Sequence, residues 1–307
     1  MKNIPLYLTG ATAVGKSKLA LQLCHYLRGE IISVDSMQVY RGLDIGTDKP
    51  DIQTREEIPH HLIDILDLKE SFDAGRFAVL ADQAVKDIQS RGKVPVFCGG
   101  TGMYFKAYLE GLIDAPAGSE QLREELGKMS LGELCARLEK EAPDSVKKID
   151  MQNRRRVERA LEIVLLTQKD CSRQRTQWNR ETADIPFFFI LQRPREELVE
   201  RINQRVEKMF QRGLVEETRS LLKNGLEENR TAMQAIGYRQ VVEYLHGQGS
   251  LEETKEKIKI RTRQFSKRQG TWFRGQFSYG QWIEAKEDIE QQAKEIAEQY
   301  QTFQEDQ

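Results

Sequence analysis

The stretch IPLYLTGATAVGKSKLALQLCHYL, residues 4–27, joins an apolar run to a glycine-bounded loop and then to leucines at helical spacing. Its centre, Gly10-Ala11-Thr12-Ala13-Val14-Gly15-Lys16-Ser17, fits G-x-x-x-x-G-K-[ST]. Each part has a physical task. The glycines let the backbone curl so that successive N–H groups face phosphate oxygens, and the helix that follows adds the positive end of its dipole. Lys16 neutralises phosphate charge and Ser17 offers a hydroxyl to Mg²⁺. With a buried strand before it and a helix after it, the loop reads as a site for a di- or triphosphate. It does not say which one.

Outward from this loop, short apolar runs alternate with amphipathic segments. EIISVD (30–35), HLIDIL (61–66) and VPVFCGG (94–100) read as strands, and AGRFAVLADQAVKDIQSR (74–91) as a helix. Strands with near-continuous apolar character, separated by helices, predict an α/β fold: a parallel sheet covered by helices on both faces. From about residue 114 the pattern changes to a linker, DAPAGSEQ, and short charged helices up to about 180, before IPFFFIL (185–191) resumes the buried-strand pattern. A helical insertion into one core accounts for this: residues 1–114 and 185–307 as core, 115–184 as insertion. Residues 195–272 read as almost wholly helical, with Gly213, Gly225, Gly237 and Gly247 as stops, and an acidic helix closes the chain.

Composition excludes several classes. At 307 residues, 39% hydrophobic and 31% charged, the chain has material for a large core. No run approaches the ~18 apolar residues of a membrane span, and the N-terminus does not read as a signal peptide. Cys24, Cys98, Cys135 and Cys171 lie at least 36 residues apart, so neither a disulfide framework nor a cysteine-rich zinc site is expected, and the reducing cytoplasm is the expected compartment. Adjacent His60 and His61 read as structural. The formal charge of −1 argues against a nucleic-acid partner only as a total. Residues 255–274 carry a local +7, the run Arg154-Arg155-Arg156 is a second basic spot, and residues 283–307 carry −6.

Where many phosphate-loop enzymes place a Mg²⁺-organising Asp at the end of a strand, the strand at 94–98 ends in Gly99-Gly100-Thr101-Gly102. The apolar strand that does end in a carboxylate is IISVD, at Asp35. In doubly wound sheets ligands sit at the carboxyl ends of strands, so Asp35, Thr101 and the loop are expected in one crevice. There Asp35 is a candidate general base; capping of the next segment is the alternative.

The strings G-x-T-A-x-G-K-S, DSMQVYRGLDIGTDKP (35–50), PHHLIDI (59–65), GGTGMYFKAYLEGL (99–112), AMQAIGYRQ (232–240) and TRQFSKRQGTWFR (262–274) resemble bacterial tRNA dimethylallyltransferases, also called tRNA isopentenyltransferases. The resemblance runs from about residue 4 to 274 and is loose in the insertion and the acidic tail. It implies transfer of a dimethylallyl group from dimethylallyl diphosphate to N6 of the adenosine at position 37 of tRNA, beside the anticodon, with Mg²⁺ and release of diphosphate. Residues 10–17 would cradle the diphosphate, Asp35 would take the amine proton, and Thr101 would donate to a diphosphate oxygen. The base must leave its stack to enter. Ser36, Met37 and Gln38 would meet it, Gln38 being able to pair with an adenine edge. Arg205, or its helical neighbour Arg201, would assist at the diphosphate; pairing of both with Glu197 and Glu200 on the surface is the alternative. Arg123, Arg155, Arg156 and Arg159 correspond to positions that contact tRNA. Two departures stand out: Arg155-Arg156 replaces the usual Gln-Arg, and Val14 replaces a Ser common in the loop.

From the charge block we expect Lys257, Lys259 and Arg263 to meet the anticodon stem-loop. Aromatics of 266–282 are candidates for base stacking, with a core role as the commoner fate. A monomer is expected, since nothing demands an interface. Two competing readings are a small-molecule or nucleoside kinase using ATP at the same loop, and a non-catalytic RNA-binding switch. The G-G-T-G turn and the long basic helical part speak against the first, and Asp35 at the crevice against the second.

Overall fold

The computed structural model describes residues 3–111, 118–167 and 185–306. At its centre β1 (Leu6–Gly10) is buried along its whole length. It pairs with β4 (Val94–Gly99) on one side and β5 (Phe188–Gln192) on the other, both parallel. With β2 (Gly29–Val34), β3 (His60–His61) and β6 (Gln281–Glu284), the sheet order is β3-β2-β4-β1-β5-β6, with every pair parallel. The chain leaves β1 toward one edge and β4 toward the other. That divergence opens a crevice beyond their carboxyl ends.

Period-two alternation sorts the side chains of the central strands. Leu6, Leu8, Val94, Val96, Phe187 and Phe189 form one apolar face, covered by α1 (Lys16–Leu27) and α13 (Ile289–Glu305) through Leu19, Leu23, Ile296 and Tyr300. The other face is aromatic. Tyr7, Phe97 and Phe188 meet Phe105 and Tyr108 of α4 (Gly102–Glu110), and Phe277 just past α12 (Leu251–Gln276). With α3 (Ala74–Ser90), capped by Asp73, the helices lie on both faces of a parallel sheet, as the sequence predicted. Ile52–Glu57 forms a short helix, α2.

Two segments differ from the sequence expectation. The strand predicted over 61–66 stops at His61, because Leu62 (φ 64°) and Asp64 (φ 54°) turn left-handed. Asp64 then accepts hydrogen bonds from Lys49 and Arg55. Strand β6 was not anticipated: its four residues, QWIE, are half-exposed at an edge and carry no apolar run. Both histidines of β3 have partners within the fold: His60 Nδ1 meets Ile58 O, and His61 Nε2 lies 2.7 Å from Glu30, which also binds Arg91 and Lys93.

The helical part contains α9 (Arg195–Gln211), α10 (Leu214–Lys223), α11 (Tyr238–Leu245) and α12. Gly213 and Gly237, both at positive φ, stand at the N-termini of α10 and α11. Contacts divide the chain into one unit of Met1–Tyr108 with Ala183–Gln307 and a second of Leu109–Thr182. The second holds α5 (Glu120–Gly127), α6 (Leu131–Glu141), α7 (Pro143–Val146) and α8 (Arg154–Thr167) around Leu126, Leu134, Leu138, Val157 and Leu161. The first half of the linker DAPAGSEQ, the end of the insertion and Cys171 lie outside the described residues.

Candidate active site

The loop between β1 and α1 has the backbone that its sequence requires. Gly10 (φ 146°) lies against β5, where a Cβ would sit 2.3 Å from Leu191 O, and Gly15 (φ 112°) leads into α1. Ala13 adopts φ 65°, a strained value for a residue with a side chain. Val14 turns its side chain into the core at 1% exposure, away from any ligand. Lys16 Nζ donates to Gly10 O and Ala11 O at 2.9 and 2.7 Å. Burial, together with Arg205 and against the pull of Cys98 and Asp35, lowers the Lys16 pKa to about 8. Ser17 is exposed in the first turn of α1.

Asp35 follows β2. Its Oδ1 accepts from the N–H groups of Met37 (2.8 Å) and Gln38 (3.3 Å), while its other oxygen has no hydrogen-bond partner among the described residues. One oxygen therefore caps the turn, and Asp35 also lines the cavity described next. Thr101 Oγ1 accepts from Ser36 N–H at 3.2 Å, which leaves its own hydroxyl hydrogen to donate elsewhere. Gln38 spends half its amide on Ser33 and Thr47 and retains one N–H and one lone pair.

These groups line one cavity of about 790 Å³, closed by one face each of α9 and α12. Arg205 reaches Thr12 Oγ1 at 3.3 Å and Thr47 O at 3.4 Å, and Arg201 Nε donates to Ala13 O at 2.8 Å. The surface pairing of these arginines with Glu197 and Glu200 does not occur, since Arg193 takes Glu197 and Gln204 takes Glu200. Two residues that sequence reasoning missed also belong here. Arg193 Nε donates to Val14 O at 2.8 Å, and Gln269 of α12 accepts from Thr12 N–H and donates to Gly100 O. Gln269 lies within the string 262–274 quoted above, yet the sequence assigns neither residue a role, because their partners are backbone atoms far along the chain. The carbonyls of Ala13 and Val14 are taken by Arg201 and Arg193 and the Thr12 amide by Gln269, which leaves the amides opening α1 to face an anion.

The basic residues proposed for RNA contact divide into exposed and engaged groups. Lys257 and Arg268 are exposed. Lys259 is held by Glu207 and Glu256, and Arg263 donates to Asn203. Glu207 on α9 therefore cuts the local +7 that the segment alone displays. In the second unit, Glu162 is 2% exposed and binds Arg123 and Arg159. Burial raises its pKa, and these two arginines outweigh that and leave it lowered. Arg154 ties down the C-terminus of α5 through three carbonyls, whereas Arg155 and Arg156 are exposed. Of the aromatics of 266–282, Phe273 and Phe277 are core, each 1% exposed, while Trp272, Tyr279 and Trp282 are half-buried.

The family model described as IPP transferase matches residues 38–276. A curated relative from Sulfurihydrogenibium, tRNA dimethylallyltransferase, is 42% identical over 275 residues, covering 89% of this chain and 90% of its own. The crystal structure of tRNA delta(2)-isopentenylpyrophosphate transferase from Staphylococcus epidermidis matches with a TM-score of 0.71 at 37% identity, covering 98% of this chain and 99% of its own. A eukaryotic dimethylallyltransferase caught acting on tRNA matches with a TM-score of 0.78 at 30% identity, covering 93% of this chain and 74% of its own.

Proposed function

This chain belongs to the IPP transferase family, and from that premise we propose how its crevice moves a dimethylallyl group from dimethylallyl diphosphate to N6 of the adenosine at position 37 of tRNA. The observation that carries the assignment of roles is the convergence of Lys16, the unpartnered oxygen of Asp35 and the Thr101 hydroxyl on one cavity. The amine nitrogen forms a bond to C1 of the prenyl group while the C1–O bond breaks. The electron pair of that bond leaves with diphosphate, and the amine proton passes to Asp35. The phosphate-loop amides, Lys16 and Arg205 stabilise the growing negative charge on the leaving group, and Thr101 donates to a diphosphate oxygen. Gln38 offers its remaining donor and acceptor to the adenine edge, beside Ser36 and Met37.

Among the described residues no cluster of three acidic, His or Cys side chains could hold a metal by itself. The exposed Ser17 hydroxyl would hold a Mg²⁺ brought with the diphosphate. Such an ion, when bound, neutralises diphosphate charge. The exposed Lys257, Arg155 and Arg156 fit phosphates of the anticodon stem-loop. We read the protein as a cytoplasmic monomer; no helix among the described residues is long and apolar enough to cross a membrane.

The test is direct. Purified protein with Mg²⁺, dimethylallyl diphosphate and unmodified tRNA yields prenylated adenosine by mass spectrometry of the nucleosides. Asp35→Ala lowers kcat by about 10²–10⁴-fold, the usual contribution of a general base. Phosphorylation of a small acceptor from ATP, without prenylated tRNA, would overturn the reading in favour of a kinase.

A further inference from the structure

Gln269 is one of few buried polar side chains on α12, at 8% exposure, and both ends of its amide are spent on backbone. Its Oε1 accepts from Thr12 N–H at 2.9 Å, and its Nε2 donates to Gly100 O at 2.8 Å. The two loops so joined follow β1 and β4, the strands from which the chain diverges. No other side chain is seen to bond to both loops among the described residues.

The glycines of the turn after β4 acquire a physical reason from this docking. A Cβ on Gly100 would lie 2.5 Å from Gln269 Nε2, and one on Gly102 would lie 2.1 Å from Trp272 Cζ3. Residues 269 and 272 share one face of α12. The helix thus seats two side chains on two glycines, with Thr101 held between them. We propose that Gln269 is a positioning residue that fixes the separation between the phosphate loop and the Thr101 turn, and so aligns diphosphate with its hydrogen-bond donor. The proposal rests on the prenyl-transfer reading for its kinetic consequence, but not for its effect on diphosphate binding.

Two variants test it. Gln269→Met keeps the volume and removes both hydrogen bonds. It is expected to lower kcat by about tenfold or more, with the KM for tRNA changed less than about threefold, and to weaken inorganic diphosphate binding measured by calorimetry. Gln269→Glu supplies a second readout. Its carboxylate can still accept from Thr12 N–H but cannot donate to Gly100 O, whereas the protonated acid does both, as the amide does. Its kcat relative to the wild type should therefore rise as pH falls from about 8.5 to 6. Lys16, Asp35, Arg205 and Arg268 line the same cavity, so the ratio is read chiefly between about pH 7 and 6, below the Lys16 pKa of about 8. A Gln269→Glu enzyme equal to wild type at every pH, or a folded Gln269→Met enzyme with wild-type kcat and diphosphate affinity, would overturn the proposal. Loss of diphosphate binding with wild-type transfer absent altogether would indict the prenyl-transfer reading and leave the brace standing.

Discussion

Lys16 begins with its ammonium turned onto two carbonyls of its own loop, so an incoming diphosphate must draw it off. Burial holds its pKa at about 8, below the 10.5 of a free lysine. The cation is therefore complete below that value and is lost as pH rises through it. The bound diphosphate anion favours the charged form, so binding above about pH 8 must also take up a proton. Diphosphate affinity should fall across about pH 8 to 9.5, and Lys16→Arg, whose guanidinium stays charged, should flatten that fall even if it binds more weakly. Calorimetry at several pH values checks this, and a wild-type profile parallel to that of the arginine variant would sink it. At Asp35, one oxygen serves the turn and the other is unpartnered. Asp35→Asn keeps the capping acceptor and loses the base, so it should transfer slowly while melting within a few degrees of the wild type.

Helix α12 is the element on which most of the surface chemistry depends, and its charge has to be counted together with its neighbour. Lys255 and Lys259 both reach Glu207 on α9. Lys257, by contrast, is exposed. Lys257→Ala should reduce the slope of log affinity for tRNA against log salt by about 0.7–0.9, the effect of one lost phosphate contact, and Lys259→Ala by much less. Filter binding across a salt series distinguishes them; equal slopes would show that Glu207 yields its partner to RNA. The elements with strong local patterns were legible in the sequence. The loop with its strand and helix, the helix at 74–90 and the buried strands each carry a period or a motif within a dozen residues. What escaped was decided elsewhere in the chain. Strand β6 exists because β5 offers an edge, the strand at 60 ends in a left-handed turn whose Asp64 is held by Lys49 and Arg55, and Gln269 matters because of backbone atoms at residues 12 and 100.

Across the whole molecule, the sheet is held at its opposite end by a buried carboxylate. Burial would raise the pKa of Glu30, but Lys93, His61 and Arg91 outweigh it and bring it to about 2, against 4.5 unfolded. The sign follows: the stabilisation is present above the unfolded value and is lost as pH falls toward 2. Glu30→Gln should lower the melting temperature at neutral pH and make its decline between about pH 5 and 2 shallower, as followed by circular dichroism. An unchanged acid limb would show that other carboxylates govern it. The bond from Thr12 to Gln269 joins residues 257 apart in sequence. A ribosome that has delivered the phosphate loop has still to make almost all of the chain before that loop can be locked. Such long-range closure is slow. Until then, the nascent chain carries a phosphate loop whose Thr12 amide lacks its partner on α12, so a product cut short before α12 should bind diphosphate less tightly than the whole chain.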